Sequence, residues 1–120
     1  MRSVPQAPPV PVLSCSTPVS AVNGQDIDTV EGLAGPHGPN PLQRSFLDHF
    51  SFQCGYCAPG FLMAATVLVE RLRHSPIPRG ACDAAIAEAC GQHICRCTGY
   101  VRYHQAIRQI LLETPGLVKS

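Results

Sequence analysis

Two close pairs of cysteines are the most chemically capable feature of this chain. The first pair is Cys54 and Cys57, and the second pair is Cys95 and Cys97. Folding that brings the pairs together would place four thiolates around one site, which is the donor set of a zinc ion or an iron–sulfur cluster. The spacing predicts a metal centre, and by itself it leaves zinc and iron–sulfur equally open.

A zinc site is the plainer alternative. A C-x2-C pair is common in structural zinc sites, and four thiolates complete a tetrahedral shell. The C-x-C pair is less usual in such sites. On this alternative the chain would be a zinc-stabilised structural or assembly module without a redox role.

The first of four predicted helices follows a strong start signal. Asn40 is a good N-cap, Pro41 suits the first helical position, and Gln43 stands three residues after the cap. The apolar residues of one face then recur every four positions, at Leu42, Phe46 and Phe50.

Three more helices are predicted further along the chain. The second begins just after Cys57, is apolar nearly all round from Phe61 to Val69, and closes with basic residues before Pro76. The third covers 81–90 with an apolar stripe. The fourth begins near Thr98 as its N-cap and stops at residues 114–116, and its apolar residues are Val101, Ile107, Ile110 and Leu111. Four helices with short connections predict a mainly α fold, a small four-helix bundle of antiparallel type.

The N-terminal part reads differently. Residues 1–18 hold five prolines and predict an extended tail, while residues 19–30 predict a short hairpin around Asn23 and Gly24. We therefore divide the chain into residues 1–36, a tail with a β-hairpin, and residues 37–120, the helical domain that carries both cysteine pairs.

Composition excludes several classes of function. Net charge is +1, only 14% of the 120 residues are charged, and no basic block is present, which argues against nucleic-acid binding. The odd count of seven cysteines argues against a disulfide framework. With no signal-peptide pattern and no apolar stretch of membrane-spanning length, we expect no transmembrane segment and a cytoplasmic, reducing setting.

Each cysteine pair stands just before a predicted helix. Helix N-termini offer free N–H groups and a partial positive charge, which would offset the negative charge of an iron–sulfur cluster. Gly55 and Gly99 allow the backbone to turn sharply and approach the site closely. Arg96 adds a cation between two of the thiols.

Two stretches carry a family resemblance: residues 53–61 (QCGYCAPGF) and residues 95–100 (CRCTGY). They closely resemble the C-terminal 2Fe–2S-binding domain of the molybdenum hydroxylases. That family includes xanthine dehydrogenase, aldehyde oxidoreductase, and the small subunits of aerobic carbon monoxide dehydrogenase, isoquinoline oxidoreductase and nicotinate dehydrogenase. The resemblance covers about residues 12–113 and implies a four-helix bundle with one 2Fe–2S cluster.

The resemblance also implies roles for individual residues. Cys54, Cys57, Cys95 and Cys97 would be the four cluster ligands, with Cys97 nearest the molybdopterin, where electrons would enter. Gln53 would contact the pterin. The chain would relay electrons from the molybdenum centre of a large subunit to a downstream acceptor, with a FAD-binding or cytochrome (haem) subunit as a further candidate partner. It would have no catalytic site of its own.

The start of the chain departs from the family pattern. Family small subunits begin with a plant-type ferredoxin domain whose ligands follow C-x4-C-x2-C with a fourth cysteine further on. Residues 12–18 and 23–33 resemble the end of that domain, and Cys15 matches its fourth ligand, but no cysteine precedes Cys15. The chain is expected to be a fragment or to have a misassigned start, or else another polypeptide carries the rest; truncation or a misassigned start is the favoured explanation.

A few other residues invite a chemical role. Cys82 and Cys90 lie on the stripe of the third helix and are expected to pack as small hydrophobes. His93 stands two residues before Cys95, but four cysteines suffice, so we expect no ligand role for it. Tyr103, beside Arg102, is expected to face either a large subunit or solvent.

Overall fold

The computed structural model describes residues 7–119, and its main elements are four α-helices. In chain order they are α1 (Pro41–Asp48), α2 (Ala58–His74), α3 (Cys82–Cys90) and α4 (Val101–Glu113). Two short strands, β1 (Ile77–Pro78) and β2 (Val118–Lys119), pair in parallel. The predicted mainly α class with four helices is confirmed. No helix in residues 7–119 combines the length and apolar character needed to cross a membrane.

A capping box starts α1, as the sequence predicts. The Asn40 side-chain oxygen accepts a hydrogen bond from the backbone N–H of Gln43 at 2.8 Å. In return the backbone N–H of Asn40 donates to Gln43 Oε1 at 2.9 Å. These two bonds satisfy donors that a helix N-terminus otherwise leaves open, so α1 is fixed locally by its own sequence.

Replacing Asn40 with alanine should destabilise the fold, because α1 then loses the capping bond at its N-terminus. We expect a loss of about 1 kcal/mol in the free energy of unfolding, measured by urea denaturation. Gln92→Ala is the control, since Gln92 is exposed and lies outside every helix. Equal losses in the two variants would contradict the role of the cap.

The end of α1 corrects the prediction for Phe50. The helix stops at Asp48, and Phe50 follows it with φ 51° and a side chain that is 68% exposed. The N–H of Ser51 donates to the carbonyl of Phe46 at 2.9 Å, and that of Phe50 donates to Leu47 at 3.1 Å. These bonds form a Schellman motif, which needs a left-handed residue after the helix and so turns Phe50 away from the core.

Helix α4 is central to the core because it contacts the other three helices. Its Ala106, Ile107 and Leu111 are completely buried. Two buried serines join the first helical segment to it: Ser45 Oγ donates to the carbonyl of Ala106 at 2.8 Å, and Ser51 Oγ donates to that of Arg102 at 2.9 Å. The buried hydroxyls are thus satisfied and hold α4 against α1.

The start of α4 differs from the prediction. Tyr100, not Thr98, occupies the N-cap position, and its φ of 71° is left-handed. Thr98 instead accepts a hydrogen bond from the Tyr100 N–H at 3.3 Å and directs its hydroxyl toward Cys95. Val101, predicted to belong to the apolar face, is 59% exposed. The predicted stop at residues 114–116 is confirmed.

The predicted hairpin at residues 19–30 is wrong. Gly24 does adopt a positive φ of 75°, as a turn requires, but the flanking residues form 3₁₀-helices at Val19–Val22 and Val30–Gly32. The chain closes short i to i−3 bonds here, such as Ala21 N–H to the carbonyl of Pro18, instead of pairing across two strands. Of the predicted tail at 1–18, residues 1–6 lie outside the described part.

Asp83 joins α3 to α4 on the surface. Its Oδ1 accepts from His104 Nε2 at 2.9 Å and from Arg108 Nε at 3.1 Å. The hydrogen bond from His104, aided by the charge of Arg108, holds the pKa of the Asp83 carboxyl below its ordinary value. The ionised carboxylate therefore favours the folded state.

Asp83→Asn should lower the melting temperature slightly near neutral pH. Because the folded pKa lies below the unfolded one, the stabilisation is present above the unfolded pKa of about 3.9 and is lost as pH falls through the folded pKa. The effect is small, since the Asp83 side chain is 64% exposed. Thermal melts of both proteins from pH 2 to pH 7 should converge at the acid end; a constant gap would contradict this linkage.

Candidate metal centre

Two loops bring the predicted ligands together. Cys54 and Cys57 lie in the segment between α1 and α2, and Cys95 and Cys97 lie between α3 and α4. The thiols of Cys57 and Cys95 are close enough to influence each other electrostatically, and so are those of Cys54 and Cys97. Each interacting pair thus takes one cysteine from each loop.

The two interacting pairs differ in depth. We call Cys57 and Cys95 the inner pair, since Cys57 is half-buried and Cys95 is 6% exposed. We call Cys54 and Cys97 the outer pair, because both are exposed. The site therefore has one edge in the protein interior and one edge at the surface.

Hydroxyl groups contact both thiols of the inner pair. Tyr103 Oη lies 3.0 Å from Cys57 Sγ, and Thr98 Oγ1 lies 3.0 Å from Cys95 Sγ. The backbone N–H of Thr98 also points at Cys95 Sγ, at 3.5 Å. A deprotonated sulfur has no proton to give, so in the thiolate state the hydroxyls must be the donors.

The surroundings separate the acidities of the thiols. Hydrogen bonding from the Thr98 hydroxyl lowers the pKa of Cys95 to about 7. Burial raises the pKa of Cys57, and the hydrogen bond with Cys54 raises that of Cys97. Neighbouring thiols resist ionising together because their negative charges repel. A bound metal centre takes them as thiolates, so metal binding releases protons here.

Two glycines shape the loops as predicted. Gly55 stands between the cysteines of the first loop with φ 81°, and Gly99 follows the second pair with φ 67°. Both values are in the left-handed region, where a side chain is strained. Tyr100 continues the second turn, and its hydroxyl accepts a hydrogen bond from the Cys95 N–H at 3.1 Å.

Gln53 connects the loops. Its Nε2 donates to the carbonyl of Cys97 at 2.9 Å while the side chain stays exposed. This bond aligns the backbone of the first loop with the outer cysteine of the second. The predicted contact of Gln53 with a pterin stays a prediction.

Tyr103 is the site residue that sequence reasoning misplaced. The sequence predicts a partner-facing or solvated position for it, but its side chain is 1% exposed. Its ring stacks on Phe61, with centroids 4.1 Å apart and planes 12° apart, and meets the edge of Phe46 at 5.3 Å. Burial raises the pKa of its phenol well above the ordinary value. The spacing of four residues to Ile107 and eight to Leu111 was the available signal.

The remaining candidates are packing residues. Cys82 is completely buried, and burial raises the pKa of Cys90 to about 11. The His93 ring lies 5.2 Å from that of Phe61 and so close to Gly60 that a Cβ there would come within 2.8 Å of it. Its Nδ1 is buried and has no hydrogen-bond partner among the described residues.

The four thiols can be compared with the donor set of a 2Fe–2S cluster. They form two interacting pairs, Cys57 with Cys95 and Cys54 with Cys97. A 2Fe–2S cluster takes four cysteine thiolates, two at each iron. The residues present therefore suit such a cluster in number, chemistry and pairing.

Several known proteins are similar in sequence to this chain. The nicotinate dehydrogenase small FeS subunit of Eubacterium barkeri is 37% identical over 98 residues, which are 82% of this chain and 59% of that protein. The nicotine 6-hydroxylase small subunit of Paenarthrobacter nicotinovorans is 39% identical over 107 residues, 89% of this chain and 58% of that protein. This chain thus spans somewhat under two thirds of the length of these relatives.

One solved structure is similar to this chain in both fold and sequence. The chain resembles the crystal structure of quinoline 2-oxidoreductase from Pseudomonas putida 86, with a TM-score of 0.57 and 37% sequence identity over 73% of this chain and 52% of that one.

A family match covers all four cysteines of the site. Residues 29–108 match the family described as the 2Fe-2S binding domain, and this range includes both loops and most of α4. The match confirms the predicted resemblance and does not favour the zinc alternative. This chain belongs to the 2Fe-2S binding domain family.

Proposed function

We propose that this chain is an iron–sulfur electron-transfer subunit of a molybdopterin-dependent hydroxylase or dehydrogenase. The observation that carries the proposal is the convergence of four thiols, in two interacting pairs, inside the segment that matches the 2Fe-2S binding domain family. Relatives named as small subunits of nicotinate dehydrogenase and nicotine 6-hydroxylase support the class of enzyme.

The proposed ligands are Cys54, Cys57, Cys95 and Cys97. When bound, the cluster supplies a centre that stores and releases one electron. The protein's own contribution is to hold the four thiolates and to satisfy them: Tyr103 and Thr98 donate to the inner pair, while Gln53 links the loops. Both loops lead directly into a helix: Cys57 is the N-cap residue of α2, and Tyr100, which follows the second cysteine pair, is that of α4.

The exposed outer pair suits electron exchange with a partner. Cys54 and Cys97 are exposed, so a redox group in a docked subunit could approach that edge of the site. Large apolar side chains are also exposed on and beside the two loops, which is typical of a surface that a partner covers. They are Phe50, Phe52, Tyr56, Ile94, Tyr100 and Val101.

This arrangement supports a proposal for the partners of the chain. We propose a large molybdopterin-binding subunit facing the outer pair, with Gln53 as a pterin contact and Cys97 as the ligand through which electrons enter. Electrons would leave toward a FAD-binding or cytochrome subunit. The seven cysteines suit a reducing, cytoplasmic setting for the complex.

The same family pattern supports a proposal for the N-terminal segment. We propose that residues 1–36 correspond to the end of a plant-type ferredoxin domain, with Cys15 at the position of its fourth ligand, and that residues 37–120 form the cluster-binding domain. The family match itself begins at residue 29. Cys15 is exposed within the 3₁₀-helix Ser14–Ser16.

Anaerobic purification and metal analysis test the proposal. We expect a red-brown protein with two irons and two acid-labile sulfides per chain, visible charge-transfer absorption, and a 2Fe–2S EPR signal after reduction with dithionite. One zinc per chain without labile sulfide would contradict the proposal and restore the zinc module.

A further inference from the structure

Tyr103 lies beneath the site in a position that the ligand count does not explain. Its ring is held by Phe61 on one face and by Phe46 at an edge, and its side chain is 1% exposed. From that fixed ring the hydroxyl reaches Cys57 Sγ at 3.0 Å. A phenylalanine could fill the same space, so packing does not explain why the ring carries a hydroxyl.

The surroundings make this contact strong. The Tyr103 hydroxyl is buried with its ring, so bulk water competes little for it, and a hydrogen bond to an ionised acceptor is stronger in such a medium. Tyr100 differs from Tyr103, because its hydroxyl accepts a hydrogen bond from the backbone N–H of Cys95 and does not contact a sulfur. Thr98 shares its oxygen between Cys95 Sγ and the Tyr100 N–H. Tyr103 is therefore the buried side-chain hydroxyl aimed at Cys57.

We propose that Tyr103 is a positioning residue that fixes the Cys57 thiolate and raises the reduction potential of the cluster through its O–H···S hydrogen bond. The inference rests on the proposed function, since it needs a 2Fe–2S cluster on Cys57. Such a cluster gains one negative charge on reduction, from about −2 to about −3 with its four thiolates. A donor to a ligand sulfur stabilises the more negative state more and so favours acceptance of an electron.

The test is Tyr103→Phe, which keeps the ring, the stack on Phe61 and the packed volume. We expect unchanged iron and sulfide content and a shift of about tenfold in the ratio of oxidised to reduced cluster at a fixed ambient potential. For one electron that shift is about 59 mV toward lower potential. Pulsed EPR of the reduced proteins, compared before and after exchange into D2O, should show one exchangeable proton coupling in the wild type that Tyr103→Phe lacks. Thr66→Val is the control: it removes a hydroxyl that donates to the carbonyl of Leu62 and not to a sulfur, and it should keep the wild-type potential.

Different outcomes test the proposed function and the role of Tyr103. Wild-type protein without labile sulfide would contradict the proposed function itself. A wild-type cluster whose potential is the same in Tyr103→Phe would contradict the role of Tyr103 alone. Loss of the cluster in Tyr103→Phe would also contradict it, because the hydroxyl would then serve assembly and not potential.

Discussion

Cys57→Ser is expected to abolish the 2Fe–2S cluster and to weaken the whole fold. Cys57 is the N-cap residue of α2, and its sulfur contacts the Tyr103 hydroxyl and interacts electrostatically with Cys95. A serine hydroxyl is a much poorer ligand than a thiolate, and losing even a group that only hydrogen-bonds to a ligand reduces metal affinity by about 10–100-fold. Because cluster binding is coupled to folding, the melting temperature should fall with the cluster. Iron, sulfide and visible absorption per chain, followed by thermal melts, measure both effects.

Cys15→Ser is the matched control for that experiment. Cys15 is also a free cysteine, but it is exposed and lies in the N-terminal 3₁₀-helix Ser14–Ser16. Its replacement should leave iron content, spectrum and melting temperature as in the wild type. An unaltered cluster spectrum in Cys57→Ser would overturn the ligand assignment.

Phe61→Ala is expected to cause the largest loss of stability among the non-ligand substitutions. Phe61 is 1% exposed, stacks on Tyr103 at 4.1 Å and lies 5.2 Å from the His93 ring. Removing the ring leaves a cavity beneath the site, which typically costs about 3–5 kcal/mol in the free energy of unfolding. Tyr103 would lose its stacking partner, so the Cys57 contact should loosen as well. Urea denaturation of the reconstituted protein measures the loss.

Phe50→Ala is the companion variant, since it removes the same side chain at an exposed position. Phe50 is 68% exposed beyond the end of α1, so we expect a change within about 0.5 kcal/mol. If both variants lost the same stability, the aromatic stack would not be the support of the site.

What could be read from the sequence was mostly local. Asn40 and Gln43 form the capping box that their spacing predicts, because both partners lie within one turn. The start of α2 after Cys57 and the end of α4 before Pro115 follow from residue types with strong positional preferences. The four thiols were identified by spacing and by family resemblance.

What could not be read depended on tertiary contacts. Phe50 continued a helical repeat, but the Schellman motif ended α1 first, with Ser51 anchored on α4. The pairing of β1 with β2 joins segments some forty residues apart, and strands of two residues show no periodicity. The spacing of Tyr103 to Ile107 and Leu111 places it on the apolar face of α4. Its hydroxyl contact with Cys57, however, depends on where the first cysteine loop meets α4.

The two serine anchors bear on how fast the site could exchange electrons. Ser45 and Ser51 bind carbonyls one helical turn apart on α4, at Ala106 and Arg102, on either side of Tyr103. The first cysteine loop thus leaves α1 from a residue already tied to the helix that supplies Tyr103. Dipoles fixed in this way need little rearrangement when charge changes. We therefore expect a small reorganisation energy for the cluster, so that distance and driving force, more than loop motion, set the rate of electron transfer.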